Sequence, residues 1–275
     1  MRNLLASIAI LLMTLSIQTI AAIDLQGELT QGSLLRGKVP AGAHVWLDDK
    51  KVKVSPYGHF AIGFGRDAPL EHQLSWALKD GKRQNSTIVL SKREYATQHI
   101  EGLAPKMVSP PKEVLTRIAQ DNRQVAAARK RDDERLDFWQ PFIWPADGPI
   151  SGVYGSQRVL NGVPKRPHYG VDVAAPVGTP VYAPADGIVT LWVPDMYYSG
   201  GTMIIDHGFG VSSTFLHLHA GHVEVGSQVK QGQLVAEIGA TGRVTGAHLD
   251  WRMNWLSERL DPALLVPKPS ASKMD

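Results

Sequence analysis

Past residue 23 the apolar positions fall in short alternating runs broken by turn residues. Val45-Trp46-Leu47 and Val52-Lys53-Val54 flank the turn signal Asp48-Asp49-Lys50, and Phe60-Ala61-Ile62 follows Ser55-Pro56-Tyr57-Gly58. Leu74 to Leu78 alternates up to Asp80-Gly81, and Thr87 to Leu90 resumes after it. Strands of this length and spacing predict a small β-sandwich over 23–104. Pro105, Pro110 and Pro111 then break the pattern. From Lys112 to Phe138 no Gly or Pro interrupts a stretch rich in Ala, Arg, Glu and Gln, which predicts a helix inside a connector spanning 105–138. Val114, Ile118 and Val125 give it one weak apolar stripe, and the mixed-sign run Arg129 to Arg135 reads as a solvated helix face. From 139 to 265 strand patterns return, as in Gly187 to Trp192, Gly201 to Asp206, Val211 to Leu216 and Leu234 to Ile238. The expected fold is mostly β: an N-terminal sandwich, a connecting helix, a C-terminal antiparallel β domain and a disordered tail over 266–275.

The first 22 residues are of another kind. Arg2 is their only charge, an apolar run extends from Leu4 to Ile20, and Ala21-Ala22 closes it. This is the three-part form of a secretory signal peptide, with no stable membrane insertion after cleavage. An uncleaved anchor is the other reading, since the run is just about long enough to span a bilayer. The chain has no Cys, which excludes a lipid anchor at the cleavage site and any disulfide. A formal charge of +3 spread among mixed-sign neighbours implies no nucleic-acid partner. An exported protein of a bacterial periplasm fits these features.

Six of the ten histidines lie in the C-terminal region: His168, His207, His217, His219, His222 and His248. Three clusters stand out: His168-Tyr169-Gly170-Val171-Asp172, His217-Leu218-His219 and His248-Leu249-Asp250. A catalytic zinc takes three protein ligands and keeps a fourth position open, and without Cys those ligands must be His or carboxylate. Residues four apart on an extended strand are about 13–14 Å apart, so His168 and Asp172 can share an ion only if the chain bends at Gly170. His207, in Asp206-His207-Gly208, reads as a structural turn residue, and His222 as a surface loop residue.

The surroundings extend the pattern. Trp144-Pro-Ala-Asp-Gly-Pro-Ile-Ser-Gly-Val-Tyr-Gly-Ser-Gln-Arg158, His168 to Ala174, Gly178 to Gly187, Phe215 to Leu218, Val229 to Val235, Gly239 to Arg243 and Gly246 to Leu249 follow one another in order. Over about 140–263 the chain resembles the lysostaphin/LytM-type zinc endopeptidases of peptidoglycan. The resemblance implies a LytM-type peptidase domain over 139–265 with the duplicated hybrid motif fold. It makes His168 and Asp172 zinc ligands and His217 and His248 catalytic histidines. The third ligand position, a His in the family, falls here on Asp250. Asp is a legitimate ligand, but two carboxylates would cancel the dication's charge, weaken it as a Lewis acid and let Mn²⁺ compete with Zn²⁺. His219 either approaches the metal or sits on the rim. Tyr169, Tyr197 and Tyr198 are expected to contact substrate in a groove walled by 195–199 and 158–166. The implied partner is peptidoglycan, with D-alanyl cross-links to diaminopimelate as substrate. The alternative is an inactive relative that binds peptidoglycan or activates other cell-wall hydrolases. The N-terminal domain is left with glycan binding, a regulatory protein partner, or cover of the groove.

Overall fold

The computed structural model describes residues 23–79 and 81–268. The signal-peptide reading of 1–22 and the tail reading over 269–275 lie outside the described residues.

Seven strands follow in the N-terminal region: β1 (Asp24–Gln26), β2 (Leu34–Lys38), β3 (His44–Leu47), β4 (Lys50–Val52), β5 (His59–Gly63), β6 (Glu71–Ala77) and β7 (Gln84–Val89). They form two sheets, β1-β2-β5 and β4-β3-β6-β7. Leu35, Phe60 and Ile62 from the first and Val45, Val52, Leu74 and Ile88 from the second meet in one buried core, so the alternation in the sequence becomes a two-layer sandwich. Asp48 and Asp49 close the β3–β4 hairpin with φ of 46° and 62°, the left-handed pair that a two-residue turn requires. The next strand, β8 (Thr97–Ile100), leaves the sandwich. After β9 (Ile150–Gly152), it pairs in parallel with β10 (Gln157–Leu160), whose other neighbour is β11 (Val163–Pro164).

The connector differs from the single helix expected to Phe138. It consists of α1 (Pro105–Val108), a 3-10 turn over Lys112–Val114, and α2 (Leu115–Ala128), where the helix stops. The charged run after it is not a helix face: Lys130, Arg131, Asp132 and Glu134 stay exposed, while two arginines clamp onto the sheet. Arg129 turns toward the sheet and donates to Thr214 Oγ1 at 2.9 Å, while Arg135 pairs with Asp133, Asp137 and the buried Asp206. Partners fixed on the sheet outcompete further helical turns. Helix α2 itself is docked: Val125 and Ala128 pack on Leu191, Met196 and Ile204, and Arg117 pairs with Asp195 at 2.8 Å.

The C-terminal sheet contains β12 (Val171–Ala174), β13 (Pro180–Tyr182), β14 (Gly187–Met196), β15 (Gly200–Asp206), β16 (Val211–Gly221), β17 (Gln228–Val229), β18 (Leu234–Ile238), β19 (His248–Trp255) and β20 (Glu258–Leu260). Its main path runs β17-β14-β15-β16-β19-β12-β9 in antiparallel order. Phe215, Leu249, Trp251 and Met253 fill the core on one side of β16 and β19, and Trp255 packs against both this core and that of the sandwich.

His207 is structural, as its turn position suggested. It is fully buried, its Nδ1 donates to Asp186 O at 2.7 Å and its Nε2 lies 2.8 Å from Ser213 Oγ. Burial pulls its pKa down to about 4. The unfolded chain therefore binds this proton first, so stability is intact above pH ~6.5 and falls as pH drops toward 4. Urea unfolding at pH 7 and pH 4 should show the wild type losing roughly 3 kcal/mol more than His207→Gln. Equal losses in the two proteins would contradict this.

Candidate metal centre

In the register between β12 and β19, Asp172 lies directly opposite Asp250, and Ala174 opposite His248. Directly opposed side chains point to one face, about 4.5–5.5 Å apart. Both carboxylates are buried. His168 precedes β12, and the chain bends at Gly170. The loop is pinned by two backbone bonds, His168 N–H to Ser156 O and Gly155 N–H to His168 O, each 2.8 Å. The bend replaces the long extended separation by 3.1 Å between His168 Nε2 and Asp172 Oδ1.

Ligand atoms of His168, Asp172 and Asp250 all lie within 4.8 Å of one another. Despite the short separation, His168 Nε2 and Asp172 Oδ1 do not meet hydrogen-bond geometry, and both ring nitrogens of His168 and Asp172 Oδ1 are buried without a hydrogen-bond partner. Buried polar atoms are rarely left so. A small cation bound by one imidazole nitrogen and two carboxylates would satisfy Asp172 Oδ1 and one of the two His168 nitrogens, so the donor set fits a divalent metal.

Two glycines make room. A Cβ at Gly152 would stand 2.2 Å from Asp172 Oδ2, and one at Gly170 would stand 2.4 Å from Asp250 Oδ1 and 2.7 Å from the Trp251 carbonyl.

Two arginines hold the carboxylates. Arg158 Nη2 donates to Asp172 Oδ2 at 2.8 Å, and Arg252 reaches both oxygens of Asp250 through Nε at 2.9 Å and Nη2 at 2.6 Å. Burial and the charge of Asp250 push the Asp172 carboxyl up, but His168 and Arg158 outweigh them and hold it below the usual range. Burial likewise opposes ionisation of Asp250, and the charge and hydrogen bonds of Arg252 override it. This changes the electrostatics expected from the ligand set alone. Two guanidinium charges offset two carboxylate charges, so a dication bound here would lose less of its Lewis acidity than the ligand set alone implies. A carboxylate has about four lone-pair sites and can serve Arg252 and a metal together.

The two other histidines flank the cluster. His217 and His248 have ring centroids 4.8 Å apart, and His248 Nε2 lies 3.9 Å from Asp172 Oδ1. His217 Nδ1 donates to Thr241 O at 2.8 Å and His248 Nδ1 to Gly246 O at 2.9 Å. A carbonyl can only accept, so each Nδ1 carries hydrogen, and Nε2 is the nitrogen of each ring turned to the cluster side for proton exchange. Burial lowers the His217 pKa to about 4, so this ring is neutral near pH 7. His217 also sits at φ 65°, a left-handed conformation that costs a β-substituted residue roughly 1–3 kcal/mol.

That twist interrupts the strand's alternation, and His219 is exposed and outside the cluster. His222 is also at the surface, 3.0 Å from Glu237 Oε1. Tyr169 and Tyr198 line a cavity beside His168. Tyr197, expected in the same groove, is instead buried beneath the connector, where its hydroxyl donates to Lys106 O at 2.9 Å and its N–H to Asp121 Oδ2 at 2.8 Å. Arg252 escaped the sequence reading, although its signal was there: His248, Asp250 and Arg252 alternate along one strand and so share a face.

A buried His/Asp/Asp cluster with two oriented imidazoles, built on an antiparallel sheet, defines a β domain organised around a candidate metal centre. Residues 166–262 match the model of peptidase family M23, and the chain thus carries an M23 peptidase domain. It is 32% identical over 219 residues to peptidoglycan DD-endopeptidase ShyA of Vibrio cholerae, across 75% of this chain and 47% of ShyA. It is 36% identical over 111 residues to the DD-carboxypeptidase/endopeptidase Mpg of Neisseria meningitidis, across 40% of this chain and 25% of Mpg. The chain thus spans less than half the length of these curated relatives. A crystal structure from Pseudomonas aeruginosa, classed with peptidase M23, superposes with a TM-score of 0.66 at 27% identity, over 86% of this chain and 95% of that one.

Gly170→Ala should cost about 1–3 kcal/mol, because the added methyl meets backbone as well as the Asp250 carboxylate. Gly246→Ala, where a Cβ meets nothing within 4 Å, should cost less than 1 kcal/mol by comparison. Thermal melts of the two variants check this, and equal shifts would contradict it.

Proposed function

We propose that the protein is an exported endopeptidase that hydrolyses peptide cross-links of peptidoglycan, using one divalent metal, zinc, held by His168, Asp172 and Asp250. The observation that carries this reading is the convergence of buried, unpartnered His168 and Asp172 atoms on Asp250 beside two imidazoles that present Nε2 for proton exchange. Its bond type comes from the DD-endopeptidase relatives, and its export from the pattern of residues 1–22. The metal, when bound, supplies Lewis-acid polarisation of the scissile carbonyl and a more acidic water.

The chain's own residues do the rest. Arg158 and Arg252 fix the two carboxylates, and the Thr241 and Gly246 carbonyls fix the rings. His217, neutral near pH 7, accepts at Nε2 the proton that the attacking water gives up as the tetrahedral species forms. Once protonated, it donates to the developing oxyanion or to the leaving amine. His248 Nε2, beside Asp172, is the second such group. No observation favours binding without cleavage.

Purified protein should clear a peptidoglycan zymogram, lose clearing with a chelator and regain it with zinc. His217→Ala and His248→Ala should each lower kcat by about 10²–10⁴. Clearing that persists unchanged in chelator would contradict the metal-dependent reading.

A further inference from the structure

A cavity of about 430 Å³ opens next to His168, within the range of ordinary ligand sites. Its walls carry six cationic side chains, Arg158, Lys165, Arg166, Arg243, Arg252 and Arg259, and no carboxylate. Arg158 and Arg252 are neutralised by Asp172 and Asp250. Among the described residues no ion pair is made by the other four.

These cations are not loosely solvated. The Arg243 guanidinium stacks 4.6 Å over the Tyr198 ring, and that of Arg259 stacks 5.1 Å over Tyr169. Stacking fixes the plane of each fork; Arg243 Nη1 donates to Met107 O at 3.3 Å, and the remaining N–H edges of Arg243 and those of Arg259 are left for an anion. Burial lowers the pKa of both groups, with Arg252 adding like charge to each. Behind them, Arg129 is pushed down to about 9 by burial and by the charges of Arg259 and Arg252. Nε of Arg129 and Nε of Arg158 are buried without a partner. Packing like charges out of water is unfavourable unless something opposes it. An anion entering this cavity relieves that repulsion and gains bidentate, charge-assisted bonds in a low-dielectric setting. The connector roofs the cavity with Val108, Pro110 and Ile118, while Arg166 is exposed and marks its mouth.

We infer that this basic cavity beside His168 is a carboxylate subsite, in which Arg243 and Arg259, with Arg166 at the mouth, bind free acid groups of the substrate's peptide stem. The inference rests on the endopeptidase reading and adds a substrate class to it: the protein selects stems with free carboxylates over the same stems as primary amides.

Two cross-linked peptide dimers, identical except that one carries free acids and the other the corresponding amides, test it with the zinc-loaded full chain. The wild type should cleave the acid dimer at least tenfold faster in kcat/KM, with the difference mostly in KM. In Arg259→Gln, and separately in the exposed-site variant Arg166→Gln, the acid-to-amide ratio should fall toward one. Equal cleavage of both dimers by the wild type overturns the subsite and leaves the endopeptidase reading standing. If neither dimer is cleaved, the endopeptidase reading fails, and calorimetric titration of both dimers into the same protein still decides the subsite. Tenfold tighter binding of the acid dimer, lost in Arg166→Gln, supports it; equal affinities overturn it.

Discussion

Two buried carboxylates facing each other across an antiparallel pair are the constraint around which this domain is built. Asp172 and Asp250 occupy directly opposed positions on β12 and β19, where like charges are destabilising. With their oxygens within 4.8 Å of each other, their repulsion is at least about 3 kcal/mol at an effective dielectric constant of 20. Arg158 and Arg252, in contact at 2.6–2.9 Å, each return about 6 kcal/mol on the same scale. The guanidinium groups therefore outweigh the mutual repulsion. Removing four ions from water costs several kcal/mol apiece, so a compact cation between the carboxylates has a part to play. The unpartnered atoms of His168 and Asp172 face that same place.

The rest of the sheet serves this arrangement. Gly152 and Gly170 keep two close approaches clear, and the left-handed backbone at His217 takes that residue out of the alternation of its strand. On the opposite face Leu249 and Trp251 lie in the core, so the strand that carries His248, Asp250 and Arg252 is locked by the packing beneath it. Arg129 and Arg135 tie the connector to the same sheet, which holds Val108 and Ile118 over the basic cavity. Rigid packing under a polar cluster is what allows ligand atoms to be held in place before anything binds.

Much of this was legible in the sequence, because period-two alternation and turn residues are local signals. The sandwich strands, the Asp48-Asp49 hairpin and the bend between His168 and Asp172 all follow from neighbouring residues. Most of what escaped depends on distant partners. The charged run after Ala128 has helix-forming composition, yet Arg135 finds the buried Asp206 and the helix ends. Tyr197 reads as an exposed loop tyrosine until Lys106 and Asp121 cover it. The charge assigned to the metal site omitted Arg158, fourteen positions from Asp172 in the chain, and overlooked Arg252, only two from Asp250.

The arrangement calls for one metal ion between His168, Asp172 and Asp250. Diffraction from zinc-soaked crystals, with data on both sides of the zinc absorption edge, tests it most directly. A single strong anomalous peak is expected in the domain, in contact with His168 and with one oxygen of each aspartate, while Arg252 remains on Asp250. A peak bound through His219 in place of Asp250, or none at this cluster, would contradict it.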